Sequence, residues 1–173
     1  MLFQQAGAGE FAAVREFYWE LISQMKDQND KIGWKKGIYP SDEFLRESLA
    51  RGELYTLKDG GRLCGCVILN GSCNAGYEGV PWSIPCGEGE ALIPHALAVS
   101  PELHGKGVGT RLVREAADLA RARGKKAVRL DILGTNTAAE RLYTKCGFRF
   151  VQAKTMFYED TGWTEYKMFE LGL

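Results

Sequence analysis

The segment His95–Arg114, HALAVSPELHGKGVGTRLVR, decides how this chain is read. An alternating apolar run ends at Val99, Ser100-Pro101 breaks it, and Gly105, Gly107 and Gly109 alternate with other residues before an amphipathic helix begins. The first N–H groups of a helix lack intrahelical acceptors and carry partial positive charge. A glycine-rich entry lets a phosphate reach those groups without obstruction by Cβ atoms, so the segment reads as an anion cradle.

Upstream, Met1 to Gln5 reads as a short strand, and Phe11, Val14, Tyr18, Leu21, Ile22 and Met25 recur at helical spacing. Gln28, Asn29 and Asp30 are expected to end that helix. Trp34, Gly37, Tyr39 and Pro40 form a loop before a second helix capped by Ser41 and led by Asp42 and Glu43. Leu54–Lys58, Asp59-Gly60-Gly61 and Arg62–Asn70 read as a hairpin with a glycine turn, with Cys64 and Cys66 on one face of its second strand. Gly71–Gly89 is too long for a tight hairpin connection and suits an active-site flap.

Ala91–Val99 is the next strand, and the helix that follows the cradle runs from Val108 to Arg123, burying Val108, Leu112, Ala116, Leu119 and Ala120 before Gly124 stops it. Lys126–Ile132 alternates, with Val128, Leu130 and Ile132 on one face and Arg129 and Asp131 on the other. Asn136–Cys146 reads as a shorter helix, Phe148 opens a strand, and Tyr166–Leu171 is the last one.

The chain has 173 residues, which suits one domain over 1–173 able to bury about two-thirds of its unfolded surface. Its 22 basic and 22 acidic residues cancel, which argues against nucleic acid or a membrane as a partner held by bulk charge. No apolar run is long enough for a membrane span and the N-terminus lacks the pattern of a signal peptide, so a cytoplasmic location is expected. The five cysteines are odd in number and irregularly spaced, which suits free thiols. Two of them lie inside a strand and the spacing fits no compact zinc pattern, so no metal is expected.

Three phosphate loops compete for the cradle. A Walker A loop needs a glycine where Ser100 stands and a Ser or Thr where Gly107 stands, so it fails twice. A dinucleotide fingerprint needs a glycine where Thr110 stands, although Asp131 lies near the distance expected of a ribose-binding acid. The third comes from the pairing of two segments, LAVSPELHGKGVGTRLV and RLDILGTNTAAERLYTKCGFRFV, which together resemble the GNAT superfamily of acetyl-CoA-dependent N-acetyltransferases. The first signature is carried by Leu97, Val99, Pro101 and His104–Gly109. The second is carried by Asn136, Tyr143, Gly147 and Phe148.

This resemblance implies an α/β (α+β) fold with a mixed, mostly antiparallel central sheet of six or seven strands flanked by about four helices. It implies acetyl-CoA as co-substrate, a small amine or peptide as acceptor, and compatibility with a homodimer. Leu97, Ala98 and Val99 would then line the pantetheine arm, and His104, Gly105, Lys106, Gly107, Val108, Gly109 and Thr110 would hold the pyrophosphate. Asn136 would bond to the CoA arm and Tyr143 would face the departing sulfur. His104 stands where the family usually has Gln or Arg.

For the base that deprotonates the acceptor, His95, Glu90 and Glu88 are the candidates. His95 suits best, because its ordinary pKa lies close to neutrality. Trp34, Tyr39 and Trp82, with Phe157 and Tyr158, are expected to shape the acceptor pocket by apolar packing or cation–π contact. The alternative function is a non-catalytic acyl-CoA-binding sensor or regulatory module.

Overall fold

The computed structural model describes residues 1–25 and 32–173. Its strands are β1 (Leu2–Gln5), β2 (Leu54–Asp59), β3 (Arg62–Asn70), β4 (Ala91–Val99), β5 (Ala127–Leu133), β6 (Arg149–Tyr158) and β7 (Gly162–Gly172). The α-helices among the described residues are α1 (Phe11–Gln24), α2 (Asp42–Ala50), α3 (Val108–Ala122) and α4 (Thr137–Lys145). The helix end expected at Gln28, Asn29 and Asp30 lies outside the described residues.

All strands join one seven-stranded sheet in the order β1-β2-β3-β4-β5-β7-β6. Every neighbouring pair is antiparallel except β4 and β5. Helices cover both faces. The apolar stripe of α3 (Val108, Leu112, Val113, Ala116, Ala120) packs with Val67, Leu69, Val128 and Leu130 on one face, where Tyr143 of α4 also lies. On the other face, α1 and α2 bury Val14, Tyr18, Leu21, Leu45 and Leu49 against Leu54, Cys66, Ile68 and Ala98. Leu112 is fully buried, and truncating such a leucine to alanine typically costs ~2–5 kcal/mol.

Two caps follow their sequence signals. Ser41 Oγ accepts from the Phe44 N–H at 3.1 Å to start α2, and Asn136 Oδ1 accepts from the Ala139 N–H at 3.0 Å to start α4.

Cys64 and Cys66 do not share a face. The pairing of β2 with β3 shifts between Leu57↔Gly65 and Lys58↔Leu63, so Cys64 sits in a bulge that reverses the alternation. Cys64 therefore packs on the α3 side and Cys66 on the α1 side, both buried. The last strand starts at Gly162 rather than Tyr166, because β6 and β7 continue pairing to Tyr158↔Gly162 beyond the core, with Trp163 exposed. The segment expected as a flap is packed down instead. Tyr77 and Val80 are buried with Ile93, Met156 and Met168, and the Glu170 carboxylate accepts from the Ser83 and Ile84 N–H groups at 2.8 and 3.1 Å.

Candidate active site

The site begins where a parallel strand pair comes apart. β4 and β5 pair only at Ala91↔Ala127 and Leu92↔Val128, and beyond these residues the strands diverge. A cavity of about 600 Å³ opens in the gap.

On its other side β4 is distorted. Ile68 pairs with His95 and Cys66 with Ala98, so Val67 alone stands against Ala96 and Leu97. This is a β-bulge, and it takes backbone groups of β4 out of the ladder at the mouth of the split. Ala96 has φ +48°, which L-residues adopt at a cost of ~1–2 kcal/mol. The buried Tyr18 hydroxyl donates to the Ala96 carbonyl at 2.7 Å and holds the peptide in that orientation.

At one end of the cavity lies the N-terminus of α3, with Gly107 as its N-cap at φ +82°. Gly105 is likewise left-handed at φ +76°. A Cβ at either position would meet no atom within 4 Å, so backbone conformation, not crowding, requires these glycines. Gly109 differs, since a Cβ there would come within 3.2 Å of Leu142 Cδ2, and its absence lets the first turn of α3 approach α4. The first-turn N–H groups of α3 have no intrahelical acceptors and open on the cavity. His104 turns back, its Nε2–H donating to the Val99 carbonyl at 3.0 Å, so its side chain fastens the cradle to the end of β4.

Leu97, Ala98, Val99, His104, Gly105, Gly107, Gly109, Thr110, Asn136 and Tyr143 all line the cavity. Lys106 and Val108 do not, Val108 being turned into the core. The Asn136 side-chain oxygen is occupied as the cap of α4.

Tyr143 is buried, edge-on to Phe148 at 5.3 Å between ring centres. Among the described residues nothing hydrogen-bonds its hydroxyl, although the residue borders the cavity. Burial pushes its pKa well above the ordinary tyrosine value, so the hydroxyl keeps its proton and serves as a hydrogen-bond donor.

His95 also lines the cavity. Its Nε2 lies 2.9 Å from Asn70 Oδ1 and 3.0 Å from the Ser72 carbonyl. The Asn70 amide is oriented by two further bonds, Nδ2 donating to Glu53 Oε2 and Oδ1 accepting from the Ser72 N–H, each at 3.0 Å. Both partners of Nε2 are thus acceptors, which assigns the proton to Nε2 and leaves Nδ1 bare. Burial lowers the His95 pKa below 6.5, so the ring is neutral at pH 7. Glu90, by contrast, binds Lys126 Nζ at 2.7 Å and accepts from the Gly87 N–H, and neither it nor Glu88 borders the cavity.

Trp34 and Tyr39 line the far end, in an edge-to-face series that links Tyr18, Trp34 and Tyr39 with centroids 6.0 and 5.8 Å apart. Tyr39 continues it to Phe44, whose ring meets His95. Trp82 lies elsewhere, against Tyr77 and under the Arg129 guanidinium. Phe157 is half-exposed against Trp163, whereas Tyr158 borders the cavity.

Residues that sequence reasoning left out complete this end. Tyr77, Asp160 and Tyr166 border it, and so does Asp131, whose Oδ2 accepts from the Tyr77 and Tyr158 hydroxyls at 3.0 and 2.8 Å. The only signal for them was the charged face of the Arg129–Asp131 strand, which the 71–89 segment covers.

A split sheet beside a glycine-capped helix end sets unpaired backbone N–H groups at a cavity, an arrangement suited to an anion. The chain belongs to the acetyltransferase (GNAT) family, whose sequence model matches residues 13–148. It is 36% identical over 74 residues to the N-alpha-acetyltransferase RimI of Mycobacterium tuberculosis, covering 43% of this chain and 45% of that one. It is 33% identical over 87 residues to streptothricin acetyltransferase of Streptomyces lavendulae, covering 50% and 44%. The chain thus spans less than half the length of these curated relatives. The fold matches a ribosomal-protein-alanine N-acetyltransferase from Brucella melitensis over 100% of both chains (TM-score 0.75, 16% identity). It also matches yncA from Salmonella typhimurium, solved with its cofactor acetyl-CoA, over 99% of this chain and 93% of the other (TM-score 0.71, 20% identity). Among the described residues no helix is long and apolar enough to cross a membrane, and no three His, Cys, Asp or Glu side chains group as metal ligands.

Proposed function

We propose that this chain, as one N-acetyltransferase domain over 1–173, transfers the acetyl group of acetyl-CoA to a primary amine of a small molecule or peptide by direct attack. The observation that carries the reading is the parting of β4 from β5, because one cavity then receives the helix-end N–H groups, the β4 bulge, Tyr143 and His95 together. Membership of the family adds the donor.

The residues present suit that donor. The N-terminal N–H groups of α3 hold its pyrophosphate, and the left-handed Gly105 and Gly107 give the loop the shape that turns those groups outward. Backbone freed by the bulge at Ala96–Leu97 lines the pantetheine arm and offers an N–H to the thioester oxygen as negative charge develops there.

The acceptor arrives as an ammonium and loses a proton to Nδ1 of His95. Its free amine then attacks the thioester carbon; a C–N bond forms and the C–S bond breaks, releasing the CoA thiolate. The second proton that the nitrogen sheds on becoming an amide passes to solvent, as does the one held by His95 before the next cycle. Tyr143 donates a hydrogen bond to that sulfur. A tyrosine whose pKa burial has raised is a poor proton source for a thiolate, so stabilisation by hydrogen bonding is its role. The acceptors on Nε2 of His95 stabilise the imidazolium that forms. The five free cysteines suit a cytoplasmic location.

The test is release of CoA thiol from acetyl-CoA across a panel of amines, amino acids and peptide N-termini. Amine-dependent release supports the enzyme; CoA binding with no release under any acceptor would favour the sensor reading, which the unpartnered Tyr143 hydroxyl disfavours.

A further inference from the structure

The cavity is divided by charge. Its donor end is bordered by Arg141 and Lys145 of α4, and its acceptor end by Asp131 and Asp160. Among the described residues no lysine or arginine borders the acceptor end. Lys35 is close enough to act on Asp160 but does not line the cavity.

The two carboxylates share one space. Asp131 reaches it from β5, with both of its tyrosine bonds on Oδ2 and no hydrogen bond from a described residue on Oδ1. Asp160, in the turn between β6 and β7, is only 6% exposed, and no side chain among the described residues pairs with it. Burial raises its proton affinity, which the neighbouring backbone N–H groups of Asp160 and Thr161 partly oppose. Tyr158, which bonds Asp131, has its ring centre 4.8 Å from that of Tyr166, and the Tyr166 hydroxyl meets Thr161, the neighbour of Asp160, at 2.7 Å, so the two acids flank the same pair of rings.

A buried carboxylate without a counter-cation is costly, and burial accordingly raises the proton affinity of both acids. Tyrosine faces attract cations as well. An aromatic-walled pocket with two such acids on one side is therefore complementary to positive charge, and repels the carboxylate of a zwitterionic acceptor.

We propose that the acceptor is a small amine carrying a second cationic group, which Asp131 and Asp160 hold against the tyrosines while the first nitrogen reacts beside His95. This deepens, and rests on, the acetyl-transfer reading. The remote group keeps its proton, and the distance between the two nitrogens selects which amine is acetylated.

Calorimetric titration of the CoA-loaded protein tests it without needing turnover. The ligands are α,ω-diamines of three to five carbons, n-butylamine and β-alanine. The best diamine is expected to bind ~30-fold or more tightly than n-butylamine, with β-alanine weakest. In the Asp131→Asn/Asp160→Asn double variant, whose CoA binding reports that it folds, the advantage should fall to within about threefold. If that variant does not fold, the single Asp160→Asn variant and the loss of the diamine advantage with rising salt serve instead. Equal or tighter binding of n-butylamine or β-alanine, or a diamine advantage that survives the substitutions, overturns the proposal. A diamine preference without acetyl transfer to any amine would refute the catalytic reading alone, and acetyl transfer to monoamines without a diamine preference would refute this inference alone.

Discussion

His95 Nε2 lies 2.9 Å from Asn70 Oδ1, which Glu53 and the Ser72 N–H turn toward it, and with the Ser72 carbonyl as a second acceptor this leaves Nδ1 bare. That relationship has a pH signature. A base works only when unprotonated, so with His95 as the proposed base activity should fall as pH drops through its pKa. Burial has lowered that pKa, which places the acidic limb of kcat/KM below pH 6.5. Glu53→Gln removes a negative charge that favours the imidazolium and should move the limb downward, by about half a pH unit or less. His95→Ala should remove the limb and lower kcat by ~10²-fold or more. The measurement is a pH–rate profile of the three proteins, and an unchanged limb in His95→Ala assigns the base elsewhere.

In the proposed mechanism Tyr143 donates to the leaving sulfur and contributes little to holding the donor. Tyr143→Phe is expected to lower kcat by ~10²-fold or more while the Kd for CoA changes less than about threefold. Stopped-flow thiol release together with CoA titration separates the two effects. Full turnover in the variant would remove the role.

Gly107 caps α3 at φ +82° with open space around its Cβ position. A β-branched residue there pays ~1–2 kcal/mol or distorts the cradle, whereas asparagine tolerates the left-handed region. Gly107→Val should weaken CoA binding ~10-fold or more and Gly107→Asn much less. Equal affinities by calorimetry would mean that the helix end is not the phosphate site.

Tyr18 ties α1 to the bulge. Tyr18→Phe leaves a buried carbonyl at Ala96 without its partner, which should cost ~1–3 kcal/mol of stability. Chemical denaturation measures this. With the bulge backbone in its proposed place at the thioester, kcat should fall further than the Kd for CoA rises.

The donor half of the site was legible in sequence because it is local. Gly105, Gly107 and Gly109 report their own backbone requirements, and Asn136, Tyr143 and Gly147-Phe148 lie on one short helix and its stop. Of the acceptor half only the aromatic residues Trp34, Tyr39 and Tyr158 were legible, because Tyr77, Asp131 and Asp160 come from three segments and meet only in the folded chain. Asp131 alternates with apolar neighbours as a solvent-facing residue would, yet the 71–89 segment, tied down by Glu170, covers that face. Bulges were equally hidden. Simple period-two alternation puts Cys64 and Cys66 on one face, and one extra residue separates them. Trp82 was read as pocket wall for its aromatic ring in a loop, and its ring is instead placed against Arg129.

In the proposed reaction the split between β4 and β5 holds acetyl-CoA while an amine attacks it directly. Rapid-quench mixing of the protein with acetyl-labelled acetyl-CoA, with and without an amine that supports thiol release, tests this most directly. Direct attack should put label on the amine in amounts equal to the CoA thiol released, and none on the protein when the amine is omitted. Label bound covalently to the protein before the amine is added, or no amine-dependent transfer from any primary amine in the panel, would contradict it.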